Sequence, residues 1–334
     1  MTTIARWGGT SRVADLDGAT HWVDFGGPVD VGAGANGDAG AGAGVNGDAG
    51  AGAGRDAGAP TIVLVHGLGG SHLNWALLAP LLIGRARVVA IDLAGFGLTR
   101  VEGRRADVSA NRVLLDRFLR EVIGGPAVLI GNSMGGMISI RQAAIAPDTV
   151  TGLVLLDPVL PPVLGVLPDP RVIAAFLAYA IPGLGPAVLA RNRARYTPRE
   201  QVLRVLALVC ANPAGIPEEM IAAATAPAEE RARIPDLDRA FVQAATSVAR
   251  PGRAALARYR GELAALRMPV LLLHGEQDRF VRVRQAREAA ARRPAWRFET
   301  FPGVGHVPQL EIPDTVADRV TRWLDDTAAA SSSR

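Results

Sequence analysis

Short, continuously apolar runs punctuate the chain. Thr61-Ile-Val-Leu-Val65, Arg87-Val-Val-Ala-Ile91, Pro126-Ala-Val-Leu-Ile130, Thr151-Gly-Leu-Val-Leu-Leu156 and Met268-Pro-Val-Leu-Leu-Leu-His274 are five such stretches. Runs this short, apolar at consecutive positions, predict strands covered on both faces. Between and beyond them, residues 75–82, 111–123, 137–145, 282–292 and 313–326 read as helices. Residues 296–301 read as a further strand before the last helix. Near the start, 11–17 and 20–25 are expected as two strands about the Asp17-Gly18 turn. Apolar strands alternating with helices imply an α/β fold with a mostly parallel central sheet flanked by helices.

The alternation stops at Asp157-Pro158 and resumes at 268. Residues 159–266 hold helical patterning and no convincing strand, too long a stretch for an ordinary loop. The expected organisation is a first core segment at 1–158, a helical insertion at 159–266 and a second core segment at 267–334. Inside the first core segment, 32–59 is a glycine-alanine repeat of period ten. It has almost no side chains to bury and too few acidic ligands for a calcium repeat, so a flexible loop is expected. Residues 172–190 carry no charge, which suggests a membrane span by composition. Pro182-Gly-Leu-Gly-Pro186 divides that stretch into two short helices, so no stable membrane insertion is expected.

Composition excludes several function classes. The chain has 334 residues, 49% hydrophobic and 20% charged, with a formal charge of +4. It contains no lysine, and its arginines are scattered, so nucleic-acid binding is not expected. The single cysteine, Cys210, rules out an intrachain disulfide and a cysteine-based metal site. Its apolar helical setting predicts a small buried hydrophobe. The first residues lack a basic region followed by an apolar one, so a cytoplasmic protein without a signal peptide is expected. Neither cofactor nor metal is expected, and the partner is a small-molecule substrate.

The candidate chemistry centres on Gly131-Asn132-Ser133-Met134-Gly135-Gly136, between a predicted strand and a predicted helix. This G-x-S-x-G spelling puts a serine on a turn so tight that a Cβ at Gly131 or Gly135 would strike the neighbouring strand or helix. A serine needs a base, and the base an orienting carboxylate. His306, in the loop before the last helix, is the candidate base. Asp278, just past a predicted parallel strand, is the candidate acid. His66 and His274 are read as structural.

With these residues in chain order Ser133, Asp278, His306, the sequence resembles the α/β-hydrolase superfamily from about Thr61 to the last helix. The resemblance implies an α/β-hydrolase fold with a helical cap inserted after the sixth core strand. It implies Ser133 as nucleophile, His306 as base and Asp278 as acid, with Asp157 as the alternative acid because some members place it after the sixth strand. His66-Gly67 matches the family's oxyanion motif, which assigns the backbone N–H groups of Leu68 and Met134 to the oxyanion hole. Asp92 to Thr99 resembles the Asp-x-Pro-Gly-x-Gly-x-Ser turn, with Ala94 in place of proline. Trp75 matches an aromatic residue often near the pocket.

The implied activity is that of a serine hydrolase cleaving esters, thioesters or amides, as a carboxylic ester hydrolase. Ser133 argues against dehalogenases and epoxide hydrolases, which carry aspartate there. The Gly-Asn-Ser-Met-Gly-Gly spelling also occurs in hydrolases of C–C bonds in ring-fission products. Those usually follow the histidine with tryptophan, where this chain has Val307 and Pro308. A non-catalytic ligand-binding member of the fold is the third reading. The apolar composition of 159–190 predicts an apolar substrate, with Phe176 and Tyr179 as candidate contacts. Tyr179, Tyr196 and Tyr259 all fall in the insertion, where a phenol is available for a polar end of the substrate.

Overall fold

The hydrophobic alternation resolves into one eight-stranded sheet in the computed structural model, which describes residues 3–28, 59–181, 183–231, 237–249 and 252–332. The strands are β1 (Thr10–Asp15), β2 (Ala19–Gly26), β3 (Thr61–Val65), β4 (Arg87–Ile91), β5 (Ala127–Asn132), β6 (Val150–Leu156), β7 (Val270–Gly275) and β8 (Arg297–Phe301). Their order across the sheet is β1-β2-β4-β3-β5-β6-β7-β8. β1 and β2 form a hairpin with Ala14 opposite Thr20, and β2 joins β4 antiparallel. All other neighbours pair in parallel. The glycine-alanine repeat lies, up to residue 58, outside the described residues.

Successive side chains of a strand point to opposite faces, and here both faces are buried. Val63, Val65, Leu129, Leu153, Leu155 and Leu272 enter one apolar layer. Helices α1 (Val108–Arg117) and α2 (Met134–Ile145) close that layer through Leu114, Leu115, Ile138 and Ile140. The intervening Ile62, Leu64, Val128, Ile130, Val154, Leu156, Leu271 and Leu273 enter the other layer. Truncating one such leucine to alanine costs about 2–5 kcal/mol, which is why consecutive apolar positions are required.

Among the described residues, six α-helices occupy the chain between β6 and β7. They are α3 (Pro170–Ala180), α4 (Leu184–Arg195), α5 (Pro198–Val209), α6 (Glu218–Arg231), α7 (Leu237–Ala249) and α8 (Arg253–Ala265). α3 starts on an Asp169 side-chain cap with Pro170 in its first turn, and α5 on a Thr197–Glu200 capping box. Among the described residues no single helix is long and apolar enough to cross a membrane. α3 and α4 satisfy the length and composition together but meet at a bend of 118°. After β7 come α9 (Val283–Ala291), a short α10 (Pro308–Glu311) and α11 (Pro313–Ser332).

Three boundaries depart from the sequence pattern. Residues 75–82 form no α-helix but two tight turns, His72–Trp75 and Ala79–Leu81. Pro80 explains this, since a proline inside a helix removes a hydrogen bond and clashes with the preceding turn. The 111–123 helix begins earlier, on the Asp107 cap, and widens over Phe118–Ile123 before Gly124 ends it at φ 71°. The last helix runs past 326 to Ser332, so the serine tail begins inside it.

Candidate active site

The parallel strands β5, β6 and β7 end side by side, and their carboxyl ends carry Ser133, Asp157 and Asp278. Ser133 stands between β5 and α2 with φ 54° and ψ −117°, a conformation that side chains avoid. The glycines around it make the turn possible. A Cβ on Gly131 would lie 2.6 Å from the Gly135 carbonyl oxygen, and one on Gly135 would lie 2.0 Å from the Val65 carbonyl oxygen. The Ser133 N–H donates to Leu156 O at 3.1 Å, which fixes the strained residue to β6.

His306 reaches the same point from the loop after β8. Its Nε2 is 2.8 Å from Ser133 Oγ, and its Nδ1 is 2.7 Å from Asp278 Oδ2. With Nδ1–H donating to the carboxylate, the Nε2 lone pair accepts from the serine hydroxyl. Phe280 stacks on the imidazole, with centroids 4.7 Å apart and planes 21° from parallel. Asp278 is buried, and its Oδ1 accepts from the N–H groups of Phe280 (2.7 Å) and Val281 (3.1 Å). Burial alone would raise its pKa; the charge and hydrogen bond of His306, with His274 and the Phe280 N–H, overcome this and hold it below the usual carboxylate value.

The loop after β3 lies against the elbow. A Cβ on Gly67 would come 3.1 Å from Ser133 Cβ. His66 shapes this loop. Its Nε2 accepts from the Leu93 N–H at 3.1 Å, so its Nδ1 carries the proton donated to Gly67 O at 2.8 Å. Leu68 follows on the same loop, and Met134 opens α2, where a first-turn N–H has no partner within its own helix.

Other expected site residues fare differently. Trp75 is fully buried among the side chains of the sheet's second apolar layer. Tyr259 is buried, and its hydroxyl donates to Val159 O at 2.5 Å, which removes it from substrate contact. Tyr196 has the Arg204 guanidinium 4.1 Å from its ring centroid. Phe176 and Tyr179 are half-buried and meet edge to face at 6.2 Å. Tyr179 in turn meets Phe241 of α7 at 5.3 Å, and Phe241 lies 3.2 Å from where a Cβ on Gly69 would stand. Phe241 is therefore the aromatic side chain that links α3 and α7 to the loop of Leu68. As the one aromatic on a helix with buried Ala240, Ala244 and Ala245, it was the residue to single out.

Two buried polar residues of the sequence motifs bond partners distant in the chain. Asn132 Nδ2 donates to Leu156 O and to His306 O, both at 3.0 Å, and so ties the His306 backbone to the strand that leads into Ser133. Asp92 is a buried acceptor for the His21 and His72 Nδ1 atoms (2.8 Å each), the His72 N–H (2.7 Å) and the Leu98 N–H (2.8 Å). Burial opposes its charge, but His72 and the hydrogen bonds from both rings keep it ionised far below the usual range. These three side chains also have metal-donor spacing, yet Asp92 Oδ2 already accepts from both rings and from Leu98. A Cβ on Gly97 would stand 2.1 Å from this carboxylate, which accounts for the glycine in that turn.

Comparison with known proteins agrees with this architecture. Lipase 1 of Psychrobacter immobilis is 28% identical over 266 residues, 78% of this chain and 75% of the lipase. The dihydrolipoyllysine-residue acetyltransferase component of the acetoin cleaving system of Pseudomonas putida is also 28% identical, over 80% of this chain. That match spans only 64% of the acetyltransferase component's own length. Among solved structures, the meta-cleavage product hydrolase CumD superposes with a TM-score of 0.65 at 18% identity, covering 96% of this chain and 99% of its own. Sequence identity that low establishes the fold alone. The family model described as "Alpha/beta hydrolase family" matches residues 62–319, the whole span from β3 into α11. This chain belongs to the alpha/beta hydrolase family.

Proposed function

We propose that the protein is a serine hydrolase that cleaves a carboxylic ester of an apolar small molecule through an acyl-enzyme. The observation that carries this reading is the hydrogen-bonded chain Ser133–His306–Asp278, at 2.8 and 2.7 Å, built on a strained elbow. Ser133 Oγ attacks the carbonyl carbon as its proton passes to His306 Nε2. The imidazolium is paired with Asp278, whose ionised form is already favoured. The N–H groups of Leu68 and Met134 hold the developing oxyanion, each contributing about 3 kcal/mol in sites of this kind. Collapse expels the alkoxide, which takes the proton from His306. Water then attacks the acyl-enzyme by the same path and frees the acid and Ser133.

Helices α3–α8 act in this reading as the cap at 159–266, with Phe176, Tyr179 and Phe241 toward the acyl chain. Lipase 1 supports ester chemistry; the likeness to CumD and the Gly-Asn-Ser-Met-Gly-Gly spelling keep C–C bond hydrolysis as the second reading. Fluorophosphonate labelling of wild type and Ser133→Ala, followed by p-nitrophenyl esters from acetate to octanoate and a ring-fission dienoate, tests both. Labelling and ester turnover that vanish in Ser133→Ala are expected. Turnover of the dienoate alone would replace the ester reading, and absence of labelling would remove catalysis by Ser133.

A further inference from the structure

Asp157 is a second carboxyl group buried beside the Asp278 that faces His306. It caps β6 with φ 45°, a strained value for a residue with a side chain, and has no exposed surface. Its backbone N–H donates to Leu273 O at 3.1 Å, and its Oδ1 accepts from the Gly275 N–H at 2.9 Å. Oxygens of Asp157 and Asp278 lie within 4.8 Å of one another and of a His306 ring nitrogen. His274 Nε2 is 3.5 Å from Asp157 Oδ1 and 3.5 Å from Asp278 Oδ2.

Two carboxyl groups this close repel when both are ionised, unless a positive charge or a shared proton lies between them. His274 Nε2 gives its proton to Val281 O at 2.8 Å, and burial drives its pKa down, so this ring is neutral. His306 already gives its Nδ1–H to Asp278, and its Nε2 accepts from Ser133 Oγ. Glu311, the other charged group that acts on Asp157, is itself acidic. Asp278 has the stronger claim to the negative charge: it accepts from two backbone N–H groups and from His306, whereas Asp157 accepts from one. Asp157 Oδ2 is the atom left over, buried and without a donor. A carboxyl oxygen in that position is satisfied by carrying a proton.

We propose that Asp157 is held as a neutral carboxylic acid whose Oδ2–H donates to the Asp278 carboxylate, making Asp157 a positioning residue for the His306–Asp278 pair. The assignment of His306 and Asp278 as base and acid rests on the functional reading above; the protonation of Asp157 does not. Burial first, then the Asp278 charge, push the Asp157 pKa well above the ordinary carboxylate value, in keeping with this state. Sharing one proton spares Asp278 the repulsion of a second carboxylate and restrains the oxygen that meets His306 Nδ1.

Infrared difference spectra of wild type minus Asp157→Asn, in H2O and D2O at pH 8, test the proposal without any substrate. A carboxylic acid carbonyl band that shifts on deuteration and is missing from the variant is expected. Carboxylate bands in its place would overturn the proposal. Kinetics on an ester that wild type cleaves give the second readout. Asparagine still offers a donor to Asp278 and an acceptor to Gly275, whereas alanine offers neither. Asp157→Ala is expected to lower kcat several-fold at an unchanged KM, and Asp157→Asn to restore most of it. The acid limb of kcat/KM in Asp157→Asn stays within about 0.3 unit of wild type, because no charge has been removed. A displacement of about 1 unit or more toward low pH would show that a negative charge beside His306 was lost, and would overturn the proposal.

Discussion

Asn132→Ala tests whether the base is held in place by the nucleophile's own strand. The Asn132 amide is buried and donates twice, to Leu156 O and to His306 O, each at 3.0 Å. Two bonds of about 0.5–1.5 kcal/mol each give an expected loss of about 1–3 kcal/mol. Part of that falls on global stability and part on the register of the His306 loop. If about 1.4 kcal/mol appears in the transition state, kcat falls about tenfold with KM nearly unchanged. Asn132→Asp sharpens the test, because it keeps the shape and replaces the donor by an acceptor. A carboxylate oxygen 3.0 Å from two carbonyl oxygens repels both, so this variant should be worse than alanine in melting temperature and in rate. The assay pairs thermal unfolding with the second-order rate of fluorophosphonate labelling, which needs no knowledge of the substrate. The reasoning fails if Asn132→Asp melts and labels as well as Asn132→Ala.

Gly135→Ala places a methyl group 2.0 Å from the Val65 carbonyl oxygen, a backbone atom of a central strand, so a loss of about 3 kcal/mol or more is expected in denaturant unfolding. Asp92→Asn should lower the melting temperature clearly at pH 5, and the gap to wild type should narrow as the pH falls to 2.5. The sign follows from the depressed pKa: the carboxylate's contribution is full above the ordinary aspartate range and is lost as pH falls toward the folded value. Phe176→Asp puts a charge where an acyl chain is expected, so kcat/KM should fall for octanoate esters and change little for acetate. Each buried CH2 contributes up to about 0.8 kcal/mol, so a flat profile from acetate to octanoate in wild type would remove the case for an apolar pocket.

What could be read from the sequence follows from the range of the forces involved. The five apolar runs became β3 to β7 because a doubly covered strand must be apolar at consecutive positions, a purely local demand. Gly131 and Gly135 were legible for the same reason: the clash that excludes a side chain comes from the adjoining turn and strand. Ser133, Asp278 and His306 were recognised by chain order, and the sheet then brought them within hydrogen-bonding distance. Residues whose role depends on distant partners were not legible. Asn132 reaches His306 across 174 positions, and nothing near it in the chain announces that contact. Trp75 matched an aromatic position of the family, and its full burial depends on partners that are not its neighbours in the chain. The turns over 75–82 show the opposite failure, since Pro80 was a visible local signal that the apolar spacing outweighed.

The inserted helices do more to the base than their position in the chain suggests. The His306 N–H donates to Val209 O at 2.7 Å, the last residue of α5. Glu311 completes the link: one carboxylate oxygen accepts from Gly305 N–H at 2.8 Å, and the other from the N–H groups of Ala211 (2.8 Å) and Asn212 (3.2 Å). Gly305 is required where these segments touch, since a Cβ there would lie 2.4 Å from Val209 O. His306 is thus held on one side by Asn132 from the sheet and on the other by the end of α5. A displacement of α5 would pull on the His306 backbone through this bond. Movement of α5 would therefore bear on the Ser133–His306 distance, with Asp157 and Asp278 standing just beyond the ends of β6 and β7. The inserted segment reaches the other two residues as well: the Val159 N–H donates to Ser133 O at 3.1 Å, and Arg279, next to Asp278, donates to Ala207 O of α5 at 2.8 Å.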